Sequence, residues 1–179
     1  MSISKTSFKK WGFLLNTNSM LIKELYGIFS RFPRISTDSR AIERDSLFFA
    51  LKGDQFNGNI YASSALEKGA AFAVIDEAEY QISDRCILVD NVLSTLQELS
   101  RYHRLQLGVP VIAITGTNGK TTTKELITAV LSKKFKTYYT KGNLNNHIGA
   151  PLTILGIDES YEIAVVEMGA VVETYTVEG

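Results

Sequence analysis

An apolar run that breaks into a glycine turn and resumes with helical spacing constrains this chain more than any other stretch. Val109-Pro-Val-Ile-Ala-Ile114 leads into Thr115-Gly-Thr-Asn-Gly-Lys-Thr-Thr-Thr123, after which Leu126, Ile127, Val130 and Leu131 recur at helical spacing. The first run is near-continuously apolar, as a strand covered on both faces of a parallel sheet is. A strand, a glycine loop and a helix in that order turn backbone N–H groups toward an anion at the helix start. Gly116 and Gly119 free the backbone to turn, with Thr117 and Asn118 between them. Lys120 supplies a point charge, Thr121 a hydroxyl for magnesium, and Thr122 a further polar contact. Residues 116–122 are therefore the candidate ATP cradle. The loop is short: an ordinary phosphate loop would place its first glycine where this chain has Ile114.

With 179 residues and 45% apolar content, the chain can bury a substantial core and hold one large or two small domains. Nineteen basic and nineteen acidic residues balance, so the phosphate contact is expected to be local rather than a nucleic-acid surface. The single cysteine, Cys86, has no internal disulfide partner, and His103 and His147 are too few for a structural zinc. Lys9, Lys10 and Trp11-Gly-Phe-Leu-Leu15 imitate a secretory signal, but five apolar residues fall short of the ~7–15 such a core needs. No run reaches the ~20 apolar residues of a membrane span. A cytoplasmic, monomeric protein without membrane insertion is the expectation.

From Asn18, the residues Leu21, Leu25, Ile28 and Phe29 predict an amphipathic helix stopped by Pro33. Leu47–Leu51, Ala71–Ile75 and Ile87–Val89 read as strands, and 60–68 as a helix ended by Gly69. Asp90 or Asn91 caps a helix carrying Val92, Leu96, Leu99 and His103 on one face. His103 reads as packing, and Cys86 as a small core residue. Beyond a boundary expected near 105–109 come the loop strand and helix, a strand at Thr137–Thr140, and Glu162-Ile-Ala-Val-Val-Glu167. The alternation predicts an α/β fold: a small N-terminal α/β domain, then the start of a parallel-sheet phosphate-loop domain. Ligands are expected beyond the carboxyl ends of the strands.

Glu167 follows four apolar residues and sits at such an end. A hard magnesium ion takes oxygen ligands, which Glu167, Thr121 and the nucleotide phosphates can supply. The turn from Gly142 to Gly149 crowds Asn143, Asn145 and Asn146 between apolar segments. Their amides suit a substrate's sugar or phosphate oxygens, and equally suit capping a helix that starts near Ile148. Lys133, Lys134, Lys136 and Lys141 read as a solvated face complementing a helix C-terminus. Ser36-Thr-Asp-Ser-Arg40 fits either a polar-ligand site or a turn with an internal Asp38–Arg40 pair, and the segment from Lys52 to Gly58 is equally open.

Four stretches, in order, resemble the Mur ligase family of ATP-dependent cell-wall precursor enzymes. They are Thr37-Asp-Ser-Arg40 with Leu47-Phe-Phe-Ala-Leu-Lys-Gly53, Thr115–Lys124, Gly142-Asn-Leu-Asn-Asn146, and Glu167-Met-Gly-Ala170. The last two are most similar to the member that adds D-alanyl-D-alanine to UDP-N-acetylmuramoyl-tripeptide. By resemblance, Lys120 and Glu167 are the catalytic residues, and Gly116, Thr117, Asn118, Gly119, Lys120, Thr121 and Thr122 hold ATP. Thr121 and Glu167 hold Mg2+, while Ser39, Arg40, Lys52, Asn145 and Asn146 meet substrate. The implied division is an extension over 1–19, a UDP-sugar-binding domain over 20–106 and a partial ATP-binding domain over 107–179.

The sequence departs from the family in two places. Phe56-Asn-Gly-Asn59 stands where Phe-Asp-Gly-His is usual, and Val171–Gly179 replaces the usual Asn-His-x-Gly-Glu type run. Members of the family carry the rest of the central domain and a third domain that this sequence lacks, so the resemblance implies the front of a ligase that is expected not to complete the reaction alone. Two alternatives stay open: a non-catalytic nucleotide- or UDP-sugar-binding remnant, and a relative of the folylpolyglutamate synthases.

Overall fold

The computed structural model describes residues 21–169. The expected extension over 1–19 and the departure after Ala170 lie outside the described residues. Helix α1 covers 21–31, with Leu25 and Phe29 buried and Pro33 two residues beyond its end. Proline supplies no N–H and disfavours helix in the residue before it.

The strands β1 (Arg34–Ser36), β2 (Ser46–Phe49), β5 (Phe72–Ile75) and β6 (Cys86–Leu88) form a parallel sheet in the order β1-β2-β5-β6. Every side chain of β2 is buried, because helices cover both faces. Leu47 and Phe49 join Leu25, Phe29, Val92, Leu96 and Leu99 on one face. Phe48 joins Ala62, Ala65, Leu66, Ile75 and Cys86 on the other. The hairpin strands β3 (Lys52–Gly53) and β4 (Phe56–Asn57) lead to α2 (Ala62–Glu67). The helix expected over 60–68 is thus partly a 3-10 turn, Gly58–Tyr61, before α2 begins. Gly58 makes that turn possible: a Cβ there would lie 2.4 Å from the Leu51 carbonyl oxygen. Helix α3 (Val92–Gln106) is capped by Asn91, whose Oδ1 accepts the Ser94 N–H at 2.8 Å.

A second parallel sheet has the order β7-β9-β8, from β7 (Val111–Ile114), β8 (Thr137–Tyr139) and β9 (Ile163–Glu167). Two expectations are corrected here. The loop strand β7 is not doubly covered: it is an edge strand of the described sheet, with Ala113 exposed, and β9 is the buried centre. In α4 (Lys120–Leu131), the apolar stripe does not face the sheet as a whole. Lys124 and Thr128 are buried, whereas Leu126 and Val130 are 64% and 72% exposed.

Helix α5 (Gly149–Leu155) packs on α3 and links the two sheets, with Leu155 in the core of the first. Gln97 Nε2 donates to the His147 carbonyl at 3.0 Å, and His103 Nε2 lies 2.8 Å from the Ile157 carbonyl. His103 is packing, as its stripe implied. Burial pushes its imidazole below its ordinary value, and the Ile157 bond only partly opposes this.

Candidate nucleotide and metal site

Parallel pairing brings the carboxyl ends of β7, β8 and β9 to one edge. On that edge stand the loop after Ile114, the turn after Tyr139 and Glu167. Gly116 has φ +143° and Gly119 +75°, conformations an L side chain rarely adopts. Open space surrounds both, so backbone shape and not crowding requires glycine. Thr115, Thr117, Asn118 and Gly119 are exposed, and α4 starts at Lys120 with its first N–H groups facing the loop. Lys120 Nζ donates to the Gly116 carbonyl at 2.7 Å, which folds the lysine over the cradle. Thr122 is exposed beside it.

Glu167 is 1% exposed, at the end of the central strand. Its Oε1 accepts from Thr121 Oγ1 at 3.2 Å and from Asn145 Nδ2 at 2.8 Å. Its Oε2 is buried and accepts no hydrogen bond, with Lys124 Nζ at 3.7 Å as its nearest cation. A buried carboxylate oxygen without a donor needs a reason, and a hard cation is one that the oxygen donors here fit. Among the described residues no three His, Cys, Asp or Glu side chains cluster as a protein-only metal cage. The fit is to a cation that takes its remaining oxygens from a nucleotide.

The asparagine turn is held against this edge by backbone. Gly169 donates its N–H to the Asn145 carbonyl at 2.6 Å, and a Cβ on Gly149 would lie 2.5 Å from Leu144 Cα. Asn146 Oδ1 accepts the N–H groups of Ile148 and Gly149 at 3.1 and 2.8 Å. The capping reading of Asn146 thus has its hydrogen bonds, while Asn145 turns to Glu167.

In the first half, Ser39, Arg40 and Lys52 lie past the carboxyl ends of β1 and β2. The Arg40 guanidinium grips Asp38, with Nε and Nη2 within 3.2 Å of its oxygens. Those bonds hold the exposed Asp38 carboxyl down at about 2. The internal pair of the turn is present, and Arg40 stays largely in solvent. Ser39 is buried, and its carbonyl accepts from Lys68 Nζ at 2.7 Å.

Lys52 is committed elsewhere: its Nζ lies 3.0 Å from Asp76 Oδ1 and 3.2 Å from Glu77 Oε1. These acids raise its ammonium above the ordinary range. Asn59, at the departure from the family pattern, is fully buried. It donates to Asp76 Oδ1 at 2.8 Å and accepts the Asp76 N–H at 3.0 Å. Asp76 Oδ2 takes the Val92 N–H at the start of α3. Burial, the largest single influence, raises the Asp76 carboxyl. Together the bonds from Asn59, Lys52 and Val92 outweigh it and hold the group below its usual value.

The sequence pattern alone gives Lys124, Thr140 and Asp76 no role in a site. A lysine three residues past Thr121 falls on the same helical face, which was the available signal for Lys124.

A parallel α/β sheet with a glycine loop opening a helix and a carboxylate at the end of the adjacent strand defines a phosphate-loop nucleotide-binding protein. The comparisons narrow the class. Residues 32–116 match the Mur ligase family, catalytic domain, and residues 114–177 match the Mur ligase middle domain. The chain belongs to the Mur ligase family. The UDP-N-acetylmuramoyl-tripeptide--D-alanyl-D-alanine ligase of Bacillus subtilis (strain 168) is 44% identical over 137 residues, covering 75% of this chain and 30% of that protein. A crystal structure of MurF from Acinetobacter baumannii superposes with TM-score 0.69 at 36% identity, over 76% of this chain and 30% of its own. MurF ligase from Thermotoga maritima in complex with ADP gives TM-score 0.69 at 35% identity, over 76% and 32%. The chain spans about 30% of the length of such relatives.

Proposed function

We propose that this chain is the front part of an ATP-dependent ligase that joins D-alanyl-D-alanine to UDP-N-acetylmuramoyl-tripeptide in peptidoglycan precursor synthesis. The observation that carries the reading is the meeting of Thr121, Asn145 and Glu167 at the start of α4. In the reaction, the γ-phosphoryl group of ATP passes to the terminal carboxylate of the tripeptide, giving ADP and an acyl phosphate. The amine of D-alanyl-D-alanine attacks the acyl carbon, the C–O bond to phosphate breaks, and an amide and inorganic phosphate leave.

Charge spreads over phosphate oxygens during the transfer, so fixed N–H groups and cations are the useful groups. The loop N–H groups and Lys120 bind and orient the phosphates. Thr121 and Glu167 are the residues that hold Mg2+, which when bound neutralises phosphate charge. Asn145 keeps the Glu167 carboxylate turned to the cradle. Residues 20–106 form the UDP-sugar domain, with Ser39, Arg40 and Lys52 at its ligand edge. Engagement of UDP by Arg40 and Lys52 then exchanges their contacts to Asp38 and Asp76. Residues 107–179 form part of the ATP domain, and these 179 residues do not complete ligation alone.

Calorimetric titration with Mg2+·ADP and, separately, with UDP-N-acetylmuramoyl-tripeptide tests the reading. Binding of both supports the two-domain assignment, and heat from neither ligand overturns it. Phosphate release that depends on both the tripeptide and D-alanyl-D-alanine would refute the claim that these residues do not ligate alone.

A further inference from the structure

We propose that Lys124 is a positioning residue that ties the phosphate-loop helix to the carboxylate strand and fixes the orientation of Glu167. The proposal rests on the nucleotide and metal reading of that site. Lys124 and Glu167 are each 1% exposed. Lysine is almost never buried without partners, and here they are specific. Nζ donates to the Thr140 carbonyl at 3.0 Å and pairs with Glu125 Oε1 at 3.1 Å and Glu167 Oε2 at 3.7 Å. Thr140 is itself fully buried, and its Oγ1 accepts the Glu167 N–H at 2.8 Å. One ammonium therefore acts on the Glu167 side chain directly and on its backbone through Thr140.

The two oxygens of Glu167 are treated differently. Oε1 is held by Thr121 and Asn145, whereas Oε2 faces Lys124 outside hydrogen-bond range. Thr121 and Lys124 are three residues apart, so both approach from the same face of α4. A carboxylate gripped at one oxygen and drawn toward a cation at the other keeps its rotation, while Oε2 retains a lone pair for a metal. Packing alone does not call for this lysine. A methionine would fill the same volume and avoid the cost of burying an ammonium. Glu125 does not explain the burial either, since its side chain is 59% exposed and could pair in solvent.

The test is a Mn2+ titration of the ADP-bound 179-residue chain followed by electron paramagnetic resonance, beside ADP titration in EDTA. In Lys124→Met the Mn2+ affinity is expected to fall at least tenfold, with metal-free ADP affinity within about twofold of the parent. Lys124→Gln keeps a donor, serves if the methionine variant does not fold, and is expected to show the same split. Unchanged or tighter Mn2+ binding in a folded variant would overturn the proposal, tighter binding meaning that charge repulsion outweighs positioning. Equal loss of Mn2+ and metal-free ADP binding would overturn it as well, by showing a general structural role. A parent chain that binds neither ADP nor Mn2+ would sink the nucleotide reading and this inference with it. Normal parent binding with indifferent variants would sink this inference alone.

Discussion

Thr121 Oγ1 and Glu167 Oε1 lie 3.2 Å apart, although 46 residues separate them in the chain. The contact joins the first turn of α4 to the end of β9, the central strand of its sheet. It follows from parallel pairing of β7 and β9, which puts Ile114 level with Glu167. The glycine loop leaves the sheet at the height where the carboxylate arrives.

Lys120→Ala removes the charge that closes over the Gly116 carbonyl. A hydrogen bond to a charged group contributes ~1.5–3 kcal/mol, so ADP binding should weaken by roughly 10- to 150-fold. Affinity for UDP-N-acetylmuramoyl-tripeptide should stay within about twofold, because that ligand is assigned to the other sheet. Calorimetry of both ligands on one variant decides it, and parallel losses would count against separate sites.

Glu167→Ala deletes the acceptor of Thr121 and Asn145 and leaves Lys124, among the described residues, with Thr140 and the exposed Glu125. Breaking a buried pair from one side costs about 3–5 kcal/mol. Urea unfolding should show a loss near the lower end of that range, since the 3.7 Å separation is long for a pair. Glu167→Gln keeps an acceptor oxygen and should lose less. An alanine variant as stable as its parent would mean that Glu167 carries no structural load.

The legibility of this fold in the sequence divides by physical cause. Strand β2 and helix α3 could be read because Leu47–Leu51 and the stripe through Val92, Leu96, Leu99 and His103 are each buried as their periods demand. The order of strands could not, because Val111–Ile114 and Ile163–Val166 are alike in composition. Only pairing makes the second the centre and leaves Ala113 exposed. Helix α4 misled for a related reason: Leu126 and Val130 carry the apolar signal, yet the inward positions belong to Lys124 and Thr128. The loop glycines and Thr121 were legible as a candidate cradle because their spacing is local, and Glu167 as a candidate ligand because it ends an apolar run; that the two meet across 46 residues is set by strand pairing. The place of Asn145 was not legible, since it depends on Gly149 and Gly169 admitting a neighbouring backbone.

Asn59→Ala should destabilise the first half more than Lys52→Ala, although both side chains touch Asp76. Asn59 is fully buried, so its loss strands the Asp76 N–H and removes a donor from its carboxylate. Leaving buried groups unsatisfied costs ~1–3 kcal/mol each. The Lys52 side chain is 40% exposed, so solvent screens its pair with Asp76 and its loss should cost less. Thermal or urea unfolding ranks the two, and the reverse order would remove Asn59 from the centre of the network.

The contact between His103 and Ile157 makes stability depend on pH in a definite direction. A neutral ring with its proton on Nε2 donates to the Ile157 carbonyl at 2.8 Å, while Nδ1 accepts the Tyr26 hydroxyl at 3.3 Å. Burial lowers the folded-state pKa below the 6.5 of a free imidazole, the opposing pull of the Ile157 bond being smaller. The unfolded chain therefore binds the proton first as pH falls. The contribution is whole above pH 6.5 and is lost progressively below it, by at most about 1.4 kcal/mol per pH unit until the folded pKa is reached. Asp38, Asp76 and Asp158 are all held below 3.8, so they add their own loss only at stronger acidity. Urea unfolding at pH 7.5, 6.5 and 5.5 should show the decline in the parent chain. Subtracting the same series for His103→Gln, which has no proton to take up, isolates the His103 part. Parallel curves for the two proteins would show that the imidazole stays equally protonated in the folded and unfolded states.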